Sequence, residues 1–159
     1  MKKLKIDLEL LVQSFAFDDE ELGVEYLDKE TGDIMNIPAS LIKVINGELE
    51  ESELADWQRE LLPDAYSIKG AEEVRYIQIP NLEDSYLFNT MVSFTSEVVI
   101  SQEIKEKLTK ALEGSNPMRN FKNIIFENLE EEEKWDTYEE NKLEDYSIKW
   151  LTNIGIEMI

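Results

Sequence analysis

Residues 116–159, NPMRNFKNIIFENLEEEEKWDTYEENKLEDYSIKWLTNIGIEMI, decide the fold because they hold two helical patterns that meet at an acidic run, residues 130–133. In the second pattern the large side chains recur at helical spacing and therefore share one face. These side chains are Trp135, Tyr138, Lys142, Tyr146, Lys149, Trp150 and Ile154. Two Trp and two Tyr on one face bury more apolar area than any comparable window, so we predict that the other elements pack against this helix.

A β-hairpin is predicted over residues 24–37. Segments 24–27 and 33–37 alternate apolar and polar side chains, as strands do when one face is buried. The acidic loop between them ends at Gly32, which is placed to adopt the left-handed conformation that closes a bulged hairpin loop. A further alternating segment ends at Pro80 and completes a small antiparallel sheet with the hairpin.

Short helical patterns surround these strands. Asp7 is the candidate N-cap of a first helix, which the acidic residues 18–21 end. Pro38 suits the first turn of a second helix over residues 39–45.

Trp57 lies in another short helical pattern with Leu54 and Leu61, for which Ser52 is the candidate cap. A lone Trp at helical spacing is more often packed in a core than stacked against a ligand. Trp57 is therefore predicted to be a core anchor.

From residue 81 onward the sequence predicts four consecutive helices and no strand. Asn81 and Ser101 are the candidate N-caps of the first two, and Pro117 begins the third. The aromatic helix is the fourth. A small antiparallel sheet, built from the N-terminal hairpin and one further strand, together with these helices predicts an α+β fold.

We predict a single α+β domain over residues 1–159, with a mixed half (1–80) and a helical half (81–159). A chain of 159 residues buries roughly two-thirds of its unfolded surface, which is enough for a core without disulfides. The sequence has no Cys, no signal peptide and no long apolar run, so we expect a soluble, cytoplasmic protein that does not associate with membranes.

The formal net charge of −20 restricts the class of partner. A surface this acidic repels phosphate backbones at long range, so direct nucleic-acid binding is disfavoured. The simplest interpretation of the charge is solubility. The alternative is an acidic mimic that occupies the basic site of a nucleic-acid-binding protein.

Familiar catalytic groups are missing from the sequence. Without His or Cys, the usual general base and every Ser-His or Cys-His arrangement are excluded, and no Walker loop, GxGxxG or GxSxG motif is present. The carboxylates of residues 130–133 point about 100° apart on a helix and cannot converge on one ion. We interpret them as the solvated start of a helix, favoured by its dipole, and weak divalent-cation binding is the alternative. No catalytic residue, metal site or cofactor is predicted.

Positive charges gather in residues 101–126 of this acidic chain. These cations are Lys105, Lys107, Lys110, Arg119 and Lys122, against three Glu in the same segment. The simpler interpretation is internal pairing with the acidic face of the terminal helix, including Glu131, Glu139 and Asp145.

The functional alternative for this positive segment is an anion site. Arg119 and Lys122 lie in the first turns of their helix, where free backbone N–H groups also point, and Lys110 is the third candidate. Such a site would bind phosphate or a nucleotide.

Several segments carry a resemblance to a known family. They are IDLELLVQSFAF near the N-terminus, the hairpin EYLDKETGDIMNI, the strand that ends at Pro80, and above all residues 114–156. In this order they resemble the bacterial UPF0158 family of uncharacterised proteins over nearly the full length. The resemblance implies a shared α+β fold and carries no assigned activity.

The segment after Gly114 departs from the family pattern, which is similar to aromatic-Arg-Arg-Phe-Lys-Asp. Here Arg119, Phe121 and Lys122 match, whereas amides replace one cation and the acid, and Met118 replaces the aromatic residue. If those cations and the acid form a binding constellation in the family, this chain has lost half of it.

A well-specified core without catalytic groups favours a non-enzymatic binding or adaptor module for a protein partner. Trp135, Tyr138, Tyr146 and Trp150 are the candidate interaction surface if their rings remain exposed. The acidic mimic and the phosphate- or nucleotide-binding protein are the alternatives.

Overall fold

A computed structural model of the chain describes residues 1–16 and 23–159. The described residues form seven helices: α1 (Leu8–Ala16), α2 (Ala39–Ile45), α3 (Asp56–Gly70), α4 (Asp84–Glu97), α5 (Gln102–Glu113), α6 (Pro117–Phe126) and α7 (Leu129–Asn153). They also form five strands: β1 (Lys2–Leu4), β2 (Val24–Asp28), β3 (Ile34–Ile37), β4 (Tyr76–Gln78) and β5 (Ile156–Met158). The predicted α+β fold is therefore confirmed.

The described residues group into two compact units. Unit 1 comprises Met1–Asn81 and Ser147–Ile159, and unit 2 comprises Leu82–Tyr146. Sequence analysis placed residues 147–159 in the helical half, whereas they group with unit 1. That the units form one domain stays a prediction. Among the described helices, none combines the length and the apolar composition needed to cross a membrane.

The predicted three-stranded antiparallel sheet is present in unit 1, with strand order β3-β2-β4. Gly32 closes the hairpin loop with φ +84°, as predicted, and its N–H donates to the Asp28 carbonyl at 2.8 Å. A Cβ at this position would lie 2.5 Å from the Lys5 carbonyl oxygen. Glycine is required here both for the left-handed turn and for this close approach.

Helices cover both faces of this sheet. Tyr26 and Ile37 belong to a buried cluster with Leu41 of α2 and with Leu62, Ala65 and Ile68 of α3. On the opposite face, Ser14 of α1 donates its hydroxyl to Glu25 of β2 at 3.2 Å. Paired residues of antiparallel strands share a face, so Met35 lies beside Tyr26 towards α2 and α3, and Asn36 beside Glu25 towards α1.

A parallel pair, β1 with β5, was missed by the sequence analysis. Lys2 pairs with Ile156 and Leu4 with Met158, so the prediction of no strand after residue 81 is wrong. Each strand is three residues long, too short to show a period of two, and its partner lies at the other end of the chain.

The helix that carries Trp57 is longer than predicted. It runs over Asp56–Gly70 and contains Pro63, a residue type that usually ends a helix. Ser52 is not its cap, because Ser52 lies in a separate 3₁₀ turn, Glu51–Glu53. The N-cap is Ala55, whose N–H donates to the Gln58 side chain at 3.0 Å.

Local signals set most other boundaries. The Leu10 N–H donates to Asp7 at 3.1 Å, and Ser101 accepts from the Ile104 N–H, so both predicted caps are confirmed. Pro117 begins α6, as predicted. Asn81 is not the cap of α4, which begins at Asp84 after Glu83. The predicted end of the first helix, residues 18–21, lies outside the described residues.

Unit 2 has an aromatic core. The rings of Phe94, Phe121 and Trp135 meet edge to face, with centroids 5.3 Å apart for Phe94–Trp135 and 5.0 Å for Phe121–Trp135. Leu108 and Ile125 are buried in the same cluster. The N-terminal part of α7 thus contributes the largest side chain of this core, as the aromatic pattern predicted.

Candidate functional site

The four C-terminal aromatics predicted as an interaction surface are engaged within their own units. Trp135 is 2% exposed and therefore offers no surface to a partner. Tyr138 donates its hydroxyl to Glu97 at 3.2 Å, and the Tyr146 ring lies 4.8 Å from that of Tyr86. Trp150 packs edge to face on Phe15 in unit 1, with centroids 5.3 Å apart. A surface formed by the remaining three rings stays a prediction.

The positive segment is partly paired with acids. Lys107 lies 3.4 Å from Glu103, and Lys105 donates to the Ser96 carbonyl at 3.4 Å. Burial raises the pKa of Glu139 above its usual value, and the nearby charge of Lys122 offsets part of that rise. The interaction of Lys122 with Glu139 of α7 favours the internal interpretation, whereas Lys107 pairs within its own helix and Lys105 bonds to α4.

The remaining two cations of the predicted anion site, Lys110 and Arg119, are exposed. Within the described part of the chain, neither side chain has an ion pair. The phosphate or nucleotide site built from Lys110, Arg119 and Lys122 stays a prediction.

The acidic run at the start of α7 is not solvated throughout. Glu131 is 5% exposed, and its Oε2 atom is buried without a hydrogen-bond partner among the described residues. Its Oε1 atom lies 3.8 Å from the Lys134 ammonium. The prediction of a solvated run is wrong at this position, because Glu131 lies one turn before the buried Trp135 and shares its face. That spacing was the signal by which the sequence could have revealed it.

We predict that Glu131→Met raises the free energy of unfolding by about 1–2 kcal/mol, because a buried acceptor without a partner carries its full desolvation cost. Urea denaturation at pH 7 measures the change. Glu130→Met is the matched control, since Glu130 is an exposed glutamate in the same first turn. A loss of stability in Glu131→Met alone would show that the carboxylate is stabilising where it lies.

Two polar clusters in unit 1 are structural. Arg75 donates to both carboxylate oxygens of Asp28, at 3.1 and 2.9 Å, and so joins the residue before β4 to the end of β2. Lys69 of α3 lies 2.9 Å from Glu72. Both clusters consist of contacts within unit 1, to which Glu30 and Tyr26 also contribute. Among the described residues, no group of three or more acidic side chains could hold a metal ion.

The exposed apolar surface of unit 1 centres on α3. Trp57 is 59% exposed and Leu61 41%, so the prediction of Trp57 as a core anchor is wrong. Trp57 and Leu61 continue the helix face on which Ile68 is buried. Among the described residues this face is covered around Ile68 and left open over the first two turns of α3.

A groove, here named the apolar groove, lies beside the open face of α3. It has a volume of about 150 Å³ and is bounded by residues 35–38 of β3 and the turn that follows it, by Leu41 of α2, and by α3. The α3 residues that line it are Leu61, Asp64, Ala65 and Ile68. The groove therefore extends the exposed surface of Trp57 and Leu61 to the edge of the sheet.

A second groove, here named the polar groove, lies on the opposite face of the same strand. Its volume is about 550 Å³, and it is lined by Lys5, Asp7 and Leu10 together with residues 32–35. The α1 side of the sheet supplies two carboxylates here, Asp7 and Asp33, against one ammonium. β3 thus has a groove on each of its faces.

Comparison with known proteins gives a family and no solved structure. The model of an uncharacterised protein family, UPF0158, matches residues 1–159. The chain is 24% identical over 149 residues to a UPF0158 protein of Chlamydia trachomatis serovar D, which covers 94% of this chain and 40% of that relative. A UPF0158 protein of Chlamydia pneumoniae is 26% identical over 143 residues, covering 90% of this chain and 39% of that relative. No solved structure matches the chain significantly.

The chain spans about two-fifths of the length of the relatives it matches. The resemblance seen in the hairpin and in the C-terminal segment is confirmed, because the family match extends over every residue of the sequence. The chain therefore belongs to the UPF0158 family of uncharacterised proteins.

Proposed function

We propose that this chain is a non-enzymatic module that binds a basic segment of a protein partner at the open face of α3. The exposure of Trp57, at 59%, is the observation that carries the proposal. A large exposed apolar surface rimmed by polar residues marks an interaction site more often than a scattered exposed side chain does. Trp is also the residue type most enriched among those that dominate binding energy.

The charge around Trp57 selects the chemistry of the partner. Asp56, Glu60 and Asp64 are exposed on the same helix. Arg59, the one cation among residues 48–64, lies 3.1 Å from Asp56 and is therefore partly neutralised. With a net charge of −20 on the whole chain, association with a basic segment is accelerated and an acidic one is repelled.

The two alternative functions explain fewer features of the surface around Trp57. An acidic mimic would use the same carboxylates, but it would not need an open Trp beside an apolar groove. A phosphate-binding protein would use Arg119 and Lys122, and the charge of Lys122 already acts on Glu139. An exposed apolar surface next to acids favours a partner that is both apolar and basic.

The test is the affinity of a partner for matched variants. The full chain is immobilised, a protein captured from a lysate of the source cells is purified, and its dissociation constant is measured against wild type, Trp57→Ala and Phe126→Ala. We expect Trp57→Ala to weaken binding by about thirtyfold, the effect of removing a dominant interface residue. Phe126→Ala is the control, because Phe126 lies in unit 2 and is 58% exposed, almost the same as Trp57.

Equal affinity for wild type and Trp57→Ala would refute the proposed surface. An equal loss in both variants would also refute it, since apolar exposure in general would then explain the capture. The expected pattern is a loss in Trp57→Ala alone, with one partner molecule bound for each chain.

A further inference from the structure

The edge strand β3 has backbone groups that no other described strand pairs. The sheet order β3-β2-β4 leaves β3 with one neighbour. The Asp28 N–H donates to the Asp33 carbonyl at 2.8 Å, which makes Asp28 and Asp33 a hydrogen-bonded pair of the ladder. In an antiparallel ladder such pairs alternate with non-hydrogen-bonded pairs. Met35 and Ile37 therefore direct their backbone groups towards β2.

By the same alternation, Ile34 and Asn36 direct their N–H and C=O groups away from β2. A hydrogen bond on the other edge of β2 agrees with this alternation. The Glu25 carbonyl accepts from the Ile79 N–H at 2.9 Å, so the backbone groups of Glu25 face β4 and not its partner Asn36 of β3. Among the described residues the edge of β3 is therefore unpaired, and it offers two donors and two acceptors to an added strand.

The two grooves lie where alternate side chains of such a strand would point. Successive residues of a strand project to opposite faces of a sheet. The apolar groove lies towards α2 and α3 and is lined by residues 35–38, and the polar groove lies towards α1 and is lined by residues 32–35, so that Met35 borders both. An added strand next to β3 would place one side chain in each groove in turn.

The residues that line each groove indicate which side chains would fit there. The apolar groove, with Leu41, Leu61 and Ile68 on its wall, has a volume of about 150 Å³, and apolar cavities of this order hold a benzene-sized group. The larger polar groove is lined by Asp7 and Asp33 against the single cation Lys5, and this excess of carboxylates suits a long cationic side chain.

We propose that a partner segment of alternating apolar and basic residues binds as an additional strand on the free edge of β3. Its apolar side chains enter the apolar groove, next to the open face of α3, and its basic side chains enter the polar groove. This inference rests on the proposed function and specifies the conformation and the residue pattern of the partner. Main-chain hydrogen bonds supply affinity, and the two grooves supply specificity.

A second copy of this chain is the less suitable occupant. Two chains that each carry a net charge of −20 repel each other. Pairing of two β3 strands would also bring the Asp33 residues that precede them into the same interface. Charge complementarity favours a basic partner.

Two synthetic heptapeptides of identical composition and charge test the residue pattern. The probe is acetyl-Ser-Lys-Val-Lys-Leu-Lys-Ser-amide, which alternates, and its control is acetyl-Ser-Lys-Lys-Lys-Val-Leu-Ser-amide, which does not. Isothermal titration calorimetry on the full chain, at about 0.15 M salt to screen non-specific attraction, measures both. We expect the alternating peptide to bind at least about tenfold more tightly. Equal affinities would overturn the proposal, because charge alone would then explain binding.

Asn36→Pro tests the backbone contact. Proline removes the outward N–H of Asn36 and is tolerated at edge positions whose N–H faces solvent. We expect Asn36→Pro to weaken the alternating peptide by at least about tenfold and Asn36→Thr, which keeps the N–H, to change it by less than about threefold. Unchanged binding by Asn36→Pro would overturn the strand-addition proposal.

An N-methylated probe makes the test independent of the folding of the variant. Two methylated peptides are made, one with methyl groups on the odd-numbered peptide nitrogens and one with methyl groups on the even-numbered ones. Each blocks one edge of the added strand, and the protein stays wild type. We expect one methylation pattern to abolish binding and the other to preserve it. Equal binding by both peptides would overturn the proposal.

Trp57→Ala separates this inference from the proposed function. If the captured partner requires Trp57 but binds Asn36→Pro normally, strand addition is overturned while the binding module stands. If neither substitution affects the captured partner, both fail. Sedimentation that shows a wild-type dimer and a monomeric Asn36→Pro, without peptide binding, would assign the edge to a second copy and overturn the partner assignment.

Discussion

Trp135→Ala is expected to lower the free energy of unfolding by about 3–5 kcal/mol, the usual cost of truncating a buried Trp. The side chain is 2% exposed and meets Phe94 and Phe121 edge to face. Truncation removes the buried apolar area of Trp135 and its contacts with both rings. It also leaves a cavity that the surrounding helices fill only partly. For a protein of ordinary stability this loss is a large fraction of the total.

Urea denaturation followed by circular dichroism measures the effect of Trp135→Ala. Trp57→Ala is the matched control, because it makes the same chemical change at an exposed position, where substitutions usually stay within about 0.5 kcal/mol. A cost below about 1 kcal/mol for Trp135→Ala, or similar costs for the two variants, would contradict the assignment of Trp135 to the core of unit 2.

The second large effect is a loss of stability at low pH, which we expect to arise from Asp28. Burial of this residue, which is 3% exposed, by itself raises the pKa of its carboxyl. Hydrogen bonds from the Arg75 guanidinium and from the backbone N–H groups of Glu30 and Thr31 act in the opposite direction and prevail. The pKa of Asp28 is thereby lowered from 3.8 to about 2.

A lowered pKa in the folded state means that the ionised form stabilises the fold. The contribution of Asp28 is complete above about pH 5, where the carboxyl is ionised in both the folded and the unfolded chain, and it is lost progressively as the pH falls through the folded pKa of about 2. The shift corresponds to about 2 kcal/mol. We therefore expect Asp28→Asn to lower the free energy of unfolding by about 2 kcal/mol at pH 7, and the difference from wild type to fall to a small fraction of that value at pH 2.

Denaturation by urea at a series of pH values from 7 to 2 checks this expectation. Because many carboxylates of this chain titrate in that range, the measured quantity is the difference between wild type and variant at each pH. Asp33→Asn is the control, since Asp33 is an exposed aspartate of the same hairpin. A difference that stays constant from pH 7 to 2 would show that Asp28 acts by its size and hydrogen bonds, independently of its charge.

Local chemistry made much of the fold predictable. Asp7 and Ser101 cap helices because their side-chain oxygens accept hydrogen bonds from N–H groups that have no partner within the helix. Pro117 begins α6 because its fixed φ suits a first turn, and Gly32 closes the hairpin because it tolerates a positive φ. These signals lie within a few residues of the feature they set, so the sequence suffices.

The candidate binding surface was not predictable in the same way. Trp57 and Trp135 both lie at helical spacing among apolar residues, and the sequence assigned both to a core. Trp135 is enclosed because residues from α4 and α6 meet it, whereas the first turns of α3 have no such cover among the described residues. Which of two similar faces is covered depends on elements far away in the chain.

By itself the sequence determined the kinds of elements, the ends of many of them and the α+β class, because hydrophobic period and capping act over a few residues. It also carried the resemblance to the family, through the order of several whole segments. Tertiary structure alone decided that Glu131 is buried, that Trp57 is open, that β1 pairs with β5, and that grooves flank both faces of β3. Burial and strand pairing depend on contacts between residues distant in sequence, and a periodic pattern states which side of an element is apolar without stating what covers it.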